Sequence, residues 1–323
     1  MIRVDSTATD RFDTSRFEAS RNRLASLAYR LLGSAADAED AVQDAFLHWQ
    51  AVDRQRIKVP EAWLTKVVTN LCLDRLRSAQ ARRERTVGAW LPEPLLAGDP
   101  MLGPADTFEQ RESVSLAVLT LMQRLSPLER AVYVLREAFS YSHAEIAEIL
   151  DITESVSQQH LHRARRRITT ARRRGSGEVD PASARRIVEE FLAAASSGRT
   201  ERLVALLTDD ATAISDGAGA GLTQTLLRYD TPQRIAAAAR AGFKPTPAKR
   251  RLAGGPLAIH YALVNGAPAI LFLLGDQVVG AMAFDITGGK IATVRGIAAP
   301  TRLARLTEAW RQHEPDPPLI PEW

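Results

Sequence analysis

The stretch LSPLERAVYVLREAFSYSHAEIAEIL, residues 125–150, decides how the middle of this chain folds. Ser126 stands at a helix N-cap position, Pro127 at the first helical position, and Glu129 three residues after the serine. Serine and glutamate at this spacing accept from each other's backbone N–H groups, and proline is tolerated in a first turn. The stretch therefore predicts a helix that begins at Pro127, followed by a short second helix over 143–150.

A third helix, predicted over 154–173 after the turn Asp151-Ile152-Thr153, completes a helix-turn-helix. Its face toward the preceding helix is a narrow stripe of small and apolar residues at helical spacing. Glutamine can pair with adenine, and arginine with guanine or phosphate, so the other faces suit duplex DNA. A solvated, arginine-rich bundle helix is the alternative interpretation. The predicted DNA-binding residues are Ser155, Gln158, Gln159, His162, Arg163, Arg165 and Arg166.

The net charge of +4 hides clusters of opposite sign. Seven arginines and no acid lie between 163 and 174, and five arginines with one acid lie between 75 and 85. Four acidic residues crowd the segment 37–44. Such clusters predict two kinds of partner, a polyanion and a basic protein surface.

Several classes of protein are excluded by composition. The single cysteine, Cys72, allows no internal disulfide, and no cysteine or histidine pair has zinc-ligand spacing, so we expect no metal and no cofactor. The first residues lack an apolar signal core, and polar residues interrupt the most apolar region, 257–286. We therefore expect a cytoplasmic protein that does not bind membranes.

The chain divides into helical and mixed regions. Residues 21–86 are predicted to be helical, and a linker rich in proline and glycine follows over 87–112. From 182 onward, helices are followed by four apolar runs whose connections, Asn265-Gly266, Gly275-Asp276 and Gly288-Gly289, are hairpin turns. This order predicts an α+β domain. The four prolines of 314–323 lead us to expect a poorly ordered tail.

Two parts of the sequence resemble the extracytoplasmic-function (ECF) sigma factors. RNRLASLAYRLLGSAADAEDAVQDAFLHW with AWLTKVVTNLCLDRLRSAQARRE is similar to their region 2, and LSPLERAVYVLREAFSYSHAEIAEIL with HRARRRI to their region 4. The string WLPEPL, from Trp90, resembles the linker of the subgroup with a fused SnoaL-like domain of the NTF2 fold, the sigma-J type.

The resemblance implies a multidomain protein in which two all-α sigma domains precede an α+β NTF2/SnoaL-like domain. The implied domains are an N-terminal tail (1–20), region 2 (21–86), a linker (87–112), region 4 (113–174), a second linker (175–181), the SnoaL-like domain (182–300) and a C-terminal tail (301–323).

The resemblance also implies partners, namely core RNA polymerase, through its beta-prime clamp helices and beta flap, and promoter DNA. The acidic residues Asp37, Glu39, Asp40 and Asp44, with Gln43, would dock on the clamp helices, although an ordinary solvated face is the alternative. Region 2 would read the minus-10 element through Lys58, Trp63, Lys66, Asn70, Arg75 and Arg77, where Trp63 either stacks on a base or fills the core. In region 4, Gln158, Gln159, His162 and Arg163 would face minus-35 bases, and Arg165 and Arg166 phosphates.

A regulatory contact is expected between the linker and the SnoaL-like domain, which could also bind a small molecule. On the linker it comprises Trp90, Leu91, Pro92, Glu93, Pro94 and Leu95, and on the domain Asp216, Gly217, Gly219, Arg302 and Leu303. The family's D-G-G-G-K and N-P-D-K-L motifs are altered here to DGAGAG and APTRL, which lose charge. The alternative for the linker is a hydrophobic flap on region 2.

Two other functions compete with a sigma factor. A SnoaL-like enzyme could use Asp216, His260 and Asp285, although nothing in the sequence brings them together, and we expect no catalysis. A ligand-responsive helix-turn-helix regulator would account for 113–323 but would leave the acidic face and the arginine-rich segment without a role.

Overall fold

The structure is a computed structural model that describes residues 6–53, 56–83, 91–103, 110, 113–172, 179–217, 226–244 and 246–323. The chain forms two compact units. The first contains the described parts of Met1–Thr86, Asp99–Val114 and Met122–Arg167, and the second those of Val87–Gly98, Ser115–Leu121 and Ile168–Trp323. None of the described helices is long and apolar enough to cross a bilayer.

Seven helices precede residue 173 in the described chain. They are α1 (Ser6–Leu32), α2 (Ala35–Ala51), α3 (Pro60–Arg83), α4 (Leu116–Met122), α5 (Pro127–Glu137), α6 (His143–Leu150) and α7 (Glu154–Arg172). A short 3-10 turn covers Pro100–Leu102.

The first three helices pack on one another around an apolar core. Phe17, Tyr29, Trp49 and Leu64 are almost completely buried there. Helix α1 begins at Ser6, well before residue 21 where the sequence predicts the helical region to start, and Phe17 of this added part is buried. Burial raises the pKa of the Cys72 thiol to about 12, as fits a core residue on α3.

The predicted helix-turn-helix is confirmed. Ser126 and Glu129 form both hydrogen bonds of a capping box at the start of α5, and Ser142 and Glu145 do so for α6. Asp151 ends α6 in the left-handed region with φ 53°, which turns the chain into α7. The predicted inward residues of α7 are all buried, namely Ser157, Leu161, Ala164 and Ile168.

The linker's second half wraps around a buried arginine of α1. Arg30 donates to Ser113 Oγ at 2.9 Å, to the Leu102 carbonyl at 2.9 Å, and to Ser26. Burial lowers the pKa of its guanidinium to about 10. Gly103 packs here with φ +67°, and a Cβ at this position would collide with Ser26 Oγ.

The second unit is an α+β domain, as predicted. Its elements are α8 (Pro181–Ser196), α9 (Thr200–Leu206), β1 (Leu207–Ser215), β2 (Leu227–Tyr229), α10 (Pro232–Phe243), α11 (Pro247–Ala253), β3 (Ala258–Val264), β4 (Ala267–Leu274), β5 (Gln277–Thr287), β6 (Lys290–Ile297) and α12 (Pro300–Arg311).

One six-stranded sheet organises this unit in the order β2-β1-β6-β5-β4-β3. The three hairpin turns of β3 to β6 are where the sequence predicts them, and their strands pair antiparallel. Strands β1 and β2 were not predicted. Strand β1 pairs parallel with β6, and its burial does not alternate, so its sequence lacks the two-residue period of a half-buried strand.

Two apolar clusters cover the two faces of the sheet. One contains residues of α8, α9 and α10 with Phe284. The other contains Leu303, Leu306 and Trp310 of α12, together with Leu91, Leu96 and Leu116. The linker's first half is thus part of the core of the α+β domain.

The expectation that 314–323 is poorly ordered is wrong. Ile320 pairs with Ile259 on the outer edge of β3, and Trp323 is only 8% exposed. The prolines suit this location because an added edge segment needs only some of its N–H groups for pairing.

Candidate nucleic-acid interface

Helix α7 presents its predicted DNA-binding residues to solvent because α6 holds the opposite face. His143 Nδ1 of α6 lies 2.8 Å from Ser157 Oγ of α7, which fixes the two helices across the turn. All seven predicted residues are exposed, namely Ser155, Gln158, Gln159, His162, Arg163, Arg165 and Arg166.

The seven residues fall into a central stripe and two flanks. At about 3.6 residues per turn, five of them share one face. They are Ser155, Gln158, Gln159, His162 and Arg166. Arg163 and Arg165 lie about 80° to either side. Arg165 donates to Glu137 Oε1 at 2.7 Å, and Arg163 Nε lies 3.6 Å from Glu129 Oε1. Both flanking arginines are therefore tied to α5.

Glu129 connects the start of α5 to α7. Its carboxylate accepts from Ser126 N at 3.0 Å and from Arg167 Nη1 at 2.5 Å, and its side chain is 6% exposed. A buried carboxylate needs such partners, since removing one leaves an uncompensated charge.

The acidic residues predicted to bind polymerase lie together on α2. Asp37, Glu39, Asp40 and Gln43 are exposed, and Asp44 is half-buried. Arg75 of α3 donates to Asp44 Oδ2 at 2.6 Å and to the Asp37 carbonyl at 3.0 Å. Arg75, predicted to bind DNA, thus faces α2 instead of the other minus-10 candidates.

Leu47 extends the acidic face and was not predicted. It follows Asp40, Gln43 and Asp44 at helical spacing, and 55% of it is exposed. The sequence signal that could have identified Leu47 is its position as an apolar residue in a row of polar residues at helical spacing.

Four minus-10 candidates share one face of α3, at positions 63, 66, 70 and 77. At the start of that face is a cavity of about 730 Å³, lined by Lys58, Trp63, the 51–53 turn and Glu148 of α6. Trp63 is half-buried and packs on the buried Trp49 with ring centroids 5.7 Å apart, so it both contacts the core and borders the cavity.

The helix-turn-helix contacts Lys66 of that face. Lys66 Nζ donates to Asp151 Oδ1 at 2.7 Å and to the Glu148 carbonyl at 2.9 Å. Nearby, Tyr141 Oη accepts from Arg23 at 2.6 Å and lies 3.2 Å from Thr65 Oγ1. The minus-10 candidate face and the helix-turn-helix therefore contact each other within the first unit.

The linker residues of the predicted regulatory contact lie on the α+β domain. Residues 91–96 are all buried. Arg302 Nη1 donates to the Leu91 carbonyl at 2.8 Å, and Leu303 belongs to the same apolar cluster as Leu91. Trp90 and Gly219 lie outside the described residues.

Sequence reasoning missed Asn265, which binds the linker backbone. Asn265 Oδ1 accepts from Leu95 N at 2.8 Å, and Ala97 N donates to the Leu263 carbonyl at 2.9 Å. The only sequence signal, Asn-Gly, was used to predict the hairpin turn.

Asp216 stabilises the entry to α12. Its carboxylate accepts from Ala298 N and Ala299 N, each at 2.9 Å. Gly217 follows it with φ 72°. These two residues shape the backbone at one end of the sheet, where β6 leads into α12.

Comparison with known proteins gives matches in the same two helical regions. The sigma-70 region 2 family matches residues 16–82, and the sigma-70 region 4 family matches residues 115–168. The ECF RNA polymerase sigma factor SigJ of Mycobacterium tuberculosis is 41% identical over 207 residues, which is 64% of this chain and 66% of SigJ.

Two further similarities extend over most of the chain. The probable ECF RNA polymerase sigma factor SigI of Mycobacterium tuberculosis is 32% identical over 290 residues, 89% of this chain and 93% of SigI. The crystal structure of M. tuberculosis SigJ superimposes with a TM-score of 0.67 at 30% identity, covering 90% of this chain and 98% of that one.

The matches to sigma-70 regions 2 and 4, the latter on the helix-turn-helix, define a transcription factor of the sigma class. The chain belongs to the ECF family of RNA polymerase sigma factors, whose members bind core RNA polymerase and direct it to promoters.

Proposed function

We propose that this chain directs core RNA polymerase to promoters through three separate helical surfaces and that its α+β domain modulates this activity through the linker. The observation that carries the proposal is the arrangement of α2, α3 and α7. Each presents a polar or charged face suited to one partner, while its opposite face is buried.

The polymerase contact is assigned to α2. Asp37, Glu39, Asp40 and Gln43 give it an anionic face, and Leu47 adds apolar area at its end. Opposite charge accelerates encounter and sets register, whereas a desolvated leucine contributes affinity. Asp44 contributes less, because it is already paired with Arg75.

The minus-10 element is assigned to the face of α3 that carries Trp63, Lys66, Asn70 and Arg77, with the cavity beside Lys58. A melted strand needs cationic groups for its phosphates and a recess or aromatic surface for an unstacked base. Arg75 is left out of this assignment and instead supports α2.

The minus-35 element is assigned to the central stripe of α7. Gln158, Gln159 and His162 lie where base edges would be, and Arg166 lies on the same line one turn further on. Arg163 and Arg165 flank the stripe and can contact phosphates only by leaving Glu129 and Glu137.

Modulation is favoured over catalysis in the α+β domain. The three side chains that an enzyme could use each have a partner. Asp216 binds two backbone amides, Asp285 Oδ2 accepts from Arg295 at 2.6 Å, and His260 Nδ1 lies 3.2 Å from the Asp316 carbonyl.

The test is run-off transcription by core polymerase with the full chain, on a promoter selected from a random library by the assembled complex. We expect defined transcripts only when both components are present. Asp40→Lys should weaken association with core roughly tenfold or more, since like charges then meet at the contact. Glu18→Lys makes the same charge change on α1 outside this face and should have little effect. Equal effects of the two variants, or no transcripts, would overturn the proposal.

A further inference from the structure

Residues 314–323 follow α12 back along the outer edge of β3. Ile259 N donates to the Ile320 carbonyl at 2.8 Å, and Ile320 N donates back at 3.2 Å. Trp323 N donates to the Leu257 carbonyl at 2.8 Å. The backbone of this segment is thus hydrogen-bonded to the sheet edge at two positions, which places the side chain of Trp323.

The Trp323 indole enters an aromatic cluster under the end of α10. It belongs to the same apolar cluster as Phe191, Phe243 and Phe284. Its Nε1 donates to the Phe243 carbonyl at 2.8 Å. Phe243 is the last residue of α10, where carbonyls lack partners within the helix, so the acceptor is a fixed property of the fold.

Lys249 of α11 lies over the indole ring. Its Nζ lies 5.9 Å from the ring centroid of Trp323, within range of a cation–π interaction. The same ammonium donates to the carbonyls of Gly242 and Lys244, at 2.9 and 2.8 Å. The space that the indole fills, the Trp323 slot, is therefore bordered by the phenylalanine rings, one hydrogen-bond acceptor and one cation.

The outer edge of β3 also carries the linker. The 320–323 segment pairs with Leu257 and Ile259, at the start of this edge, and linker residues 95–97 pair with Leu263 and Asn265, at its end. Outward-facing backbone groups recur every second residue of a strand, so both segments share one edge. Both contacts therefore depend on where this edge of β3 lies.

We propose that the Trp323 slot is a binding site for planar bicyclic aromatic compounds with one N–H donor, of the indole class, which Trp323 itself occupies. Occupation holds the outer edge of β3 in place and thereby holds linker residues 95–97 on the α+β domain. Occupation of the slot would be one means by which the α+β domain modulates transcription. Only this effect on transcription depends on the function proposed above.

The experiment uses the purified full chain without polymerase, so its failure is distinct from failure of the proposed function. Trp323→Ala empties the slot, and indole is the probe. We expect a lower Tm that indole restores in a saturable manner, with indene, which has the same shape but no N–H, binding at least tenfold more weakly. The Tm of the unsubstituted protein should not respond to indole at the same concentrations.

Amide hydrogen exchange tests the connection to the linker. In Trp323→Ala the amides of Ala97 and Asn265 should exchange at least tenfold faster, and indole should return them to within threefold of the original rate. Amides of β1, which lies four strands away from β3, serve as the internal control.

Three results would overturn the proposal. An absence of saturable stabilisation by indole would mean that there is no site, and equal binding of indene would remove the N–H specificity. Unchanged exchange at Ala97 and Asn265 would remove the connection along β3. Trp323→Phe keeps a ring but loses the N–H donor, and it replaces Trp323→Ala if that variant does not fold. It should accelerate exchange at the same two amides, to a smaller degree. Unchanged exchange in this variant would also remove the connection along β3.

Discussion

Leu95 and Asn265 bind each other through two hydrogen bonds although 170 residues separate them. Leu95 N donates to the side-chain Oδ1 of Asn265 at 2.8 Å, and Asn265 N donates to the Leu95 carbonyl at 2.9 Å. Asn265 is 1% exposed and has φ 51°. Asparagine suits this position because it tolerates the left-handed region and still offers an acceptor.

Asn265→Gly tests this grip on the linker. Glycine keeps the backbone conformation of the turn but removes Oδ1, leaving the buried Leu95 N–H without this acceptor. We expect a loss of about 1–3 kcal/mol in the stability of the linker contact. Hydrogen exchange should accelerate at Leu95 but not at Ile270 in the middle of β4. Equal acceleration at both would mean that the substitution loosens the whole sheet.

Gly103→Ala and Gly98→Ala form a matched pair in the linker. Both glycines have positive φ, +67° and +90°. A Cβ at 103 would meet Ser26 Oγ, whereas one at 98 would meet nothing within 4 Å. We expect Gly98→Ala to cost about 1 kcal/mol of unfolding free energy and Gly103→Ala about 2–4 kcal/mol, by chemical denaturation. Similar costs would show that Ser26 and Arg30 move aside without penalty.

Arg166→Ala and Arg167→Ala separate DNA binding from stability on neighbouring residues of α7. Arg166 lies on the central stripe, so its loss should reduce the salt slope of promoter binding by the polymerase complex by about one unit. Arg167 instead pairs with the buried carboxylate of Glu129. Its loss should lower the unfolding free energy by about 1–3 kcal/mol and leave the slope unchanged. The reverse pattern would show that the stripe is misassigned.

Asp151→Gly tests the contact between region 4 and Lys66. Glycine accepts the left-handed conformation at φ 53°, so the helix-turn-helix should keep its turn while Lys66 loses its carboxylate partner. The pair is exposed, and such pairs contribute about 1 kcal/mol or less. Its loss should therefore change the ratio of closed to open arrangements of the two modules by a factor of about five at most. Small-angle scattering of the free chain should report a larger radius of gyration. An unchanged radius would contradict this prediction and mean that the contact between the modules depends on Tyr141 and Arg23 instead.

The sequence predicted those parts of the molecule whose signals are local. Ser126 and Glu129 lie three residues apart, and their capping box forms as expected. Asn265-Gly266 and the two other glycine turns fixed the hairpins because each turn type needs a residue that tolerates positive φ. The exposed stripe of α7 followed from helical periodicity.

The features that were missed depend on residues far apart in the chain. Arg75 was grouped with other basic residues, but its partners on α2 lie 31 and 38 positions away. The prolines of 314–323 suggested disorder, whereas Trp323 finds its acceptor 80 residues earlier. Composition shows how polar and how rich in proline a segment is. Whether its tryptophan finds a buried site depends on residues that only the fold brings next to it.

The salt bridge between Lys66 and Asp151 has a consequence for promoter geometry. Promoter positions minus 10 and minus 35 are about 25 base pairs apart, or about 85 Å of duplex at 3.4 Å per step. On the assignments proposed above, the modules that would read these two elements contact each other through Lys66 and Asp151, far closer than that separation. If both elements are read at once, the two modules must separate, and the free energy of binding to polymerase would then include the work of separating them.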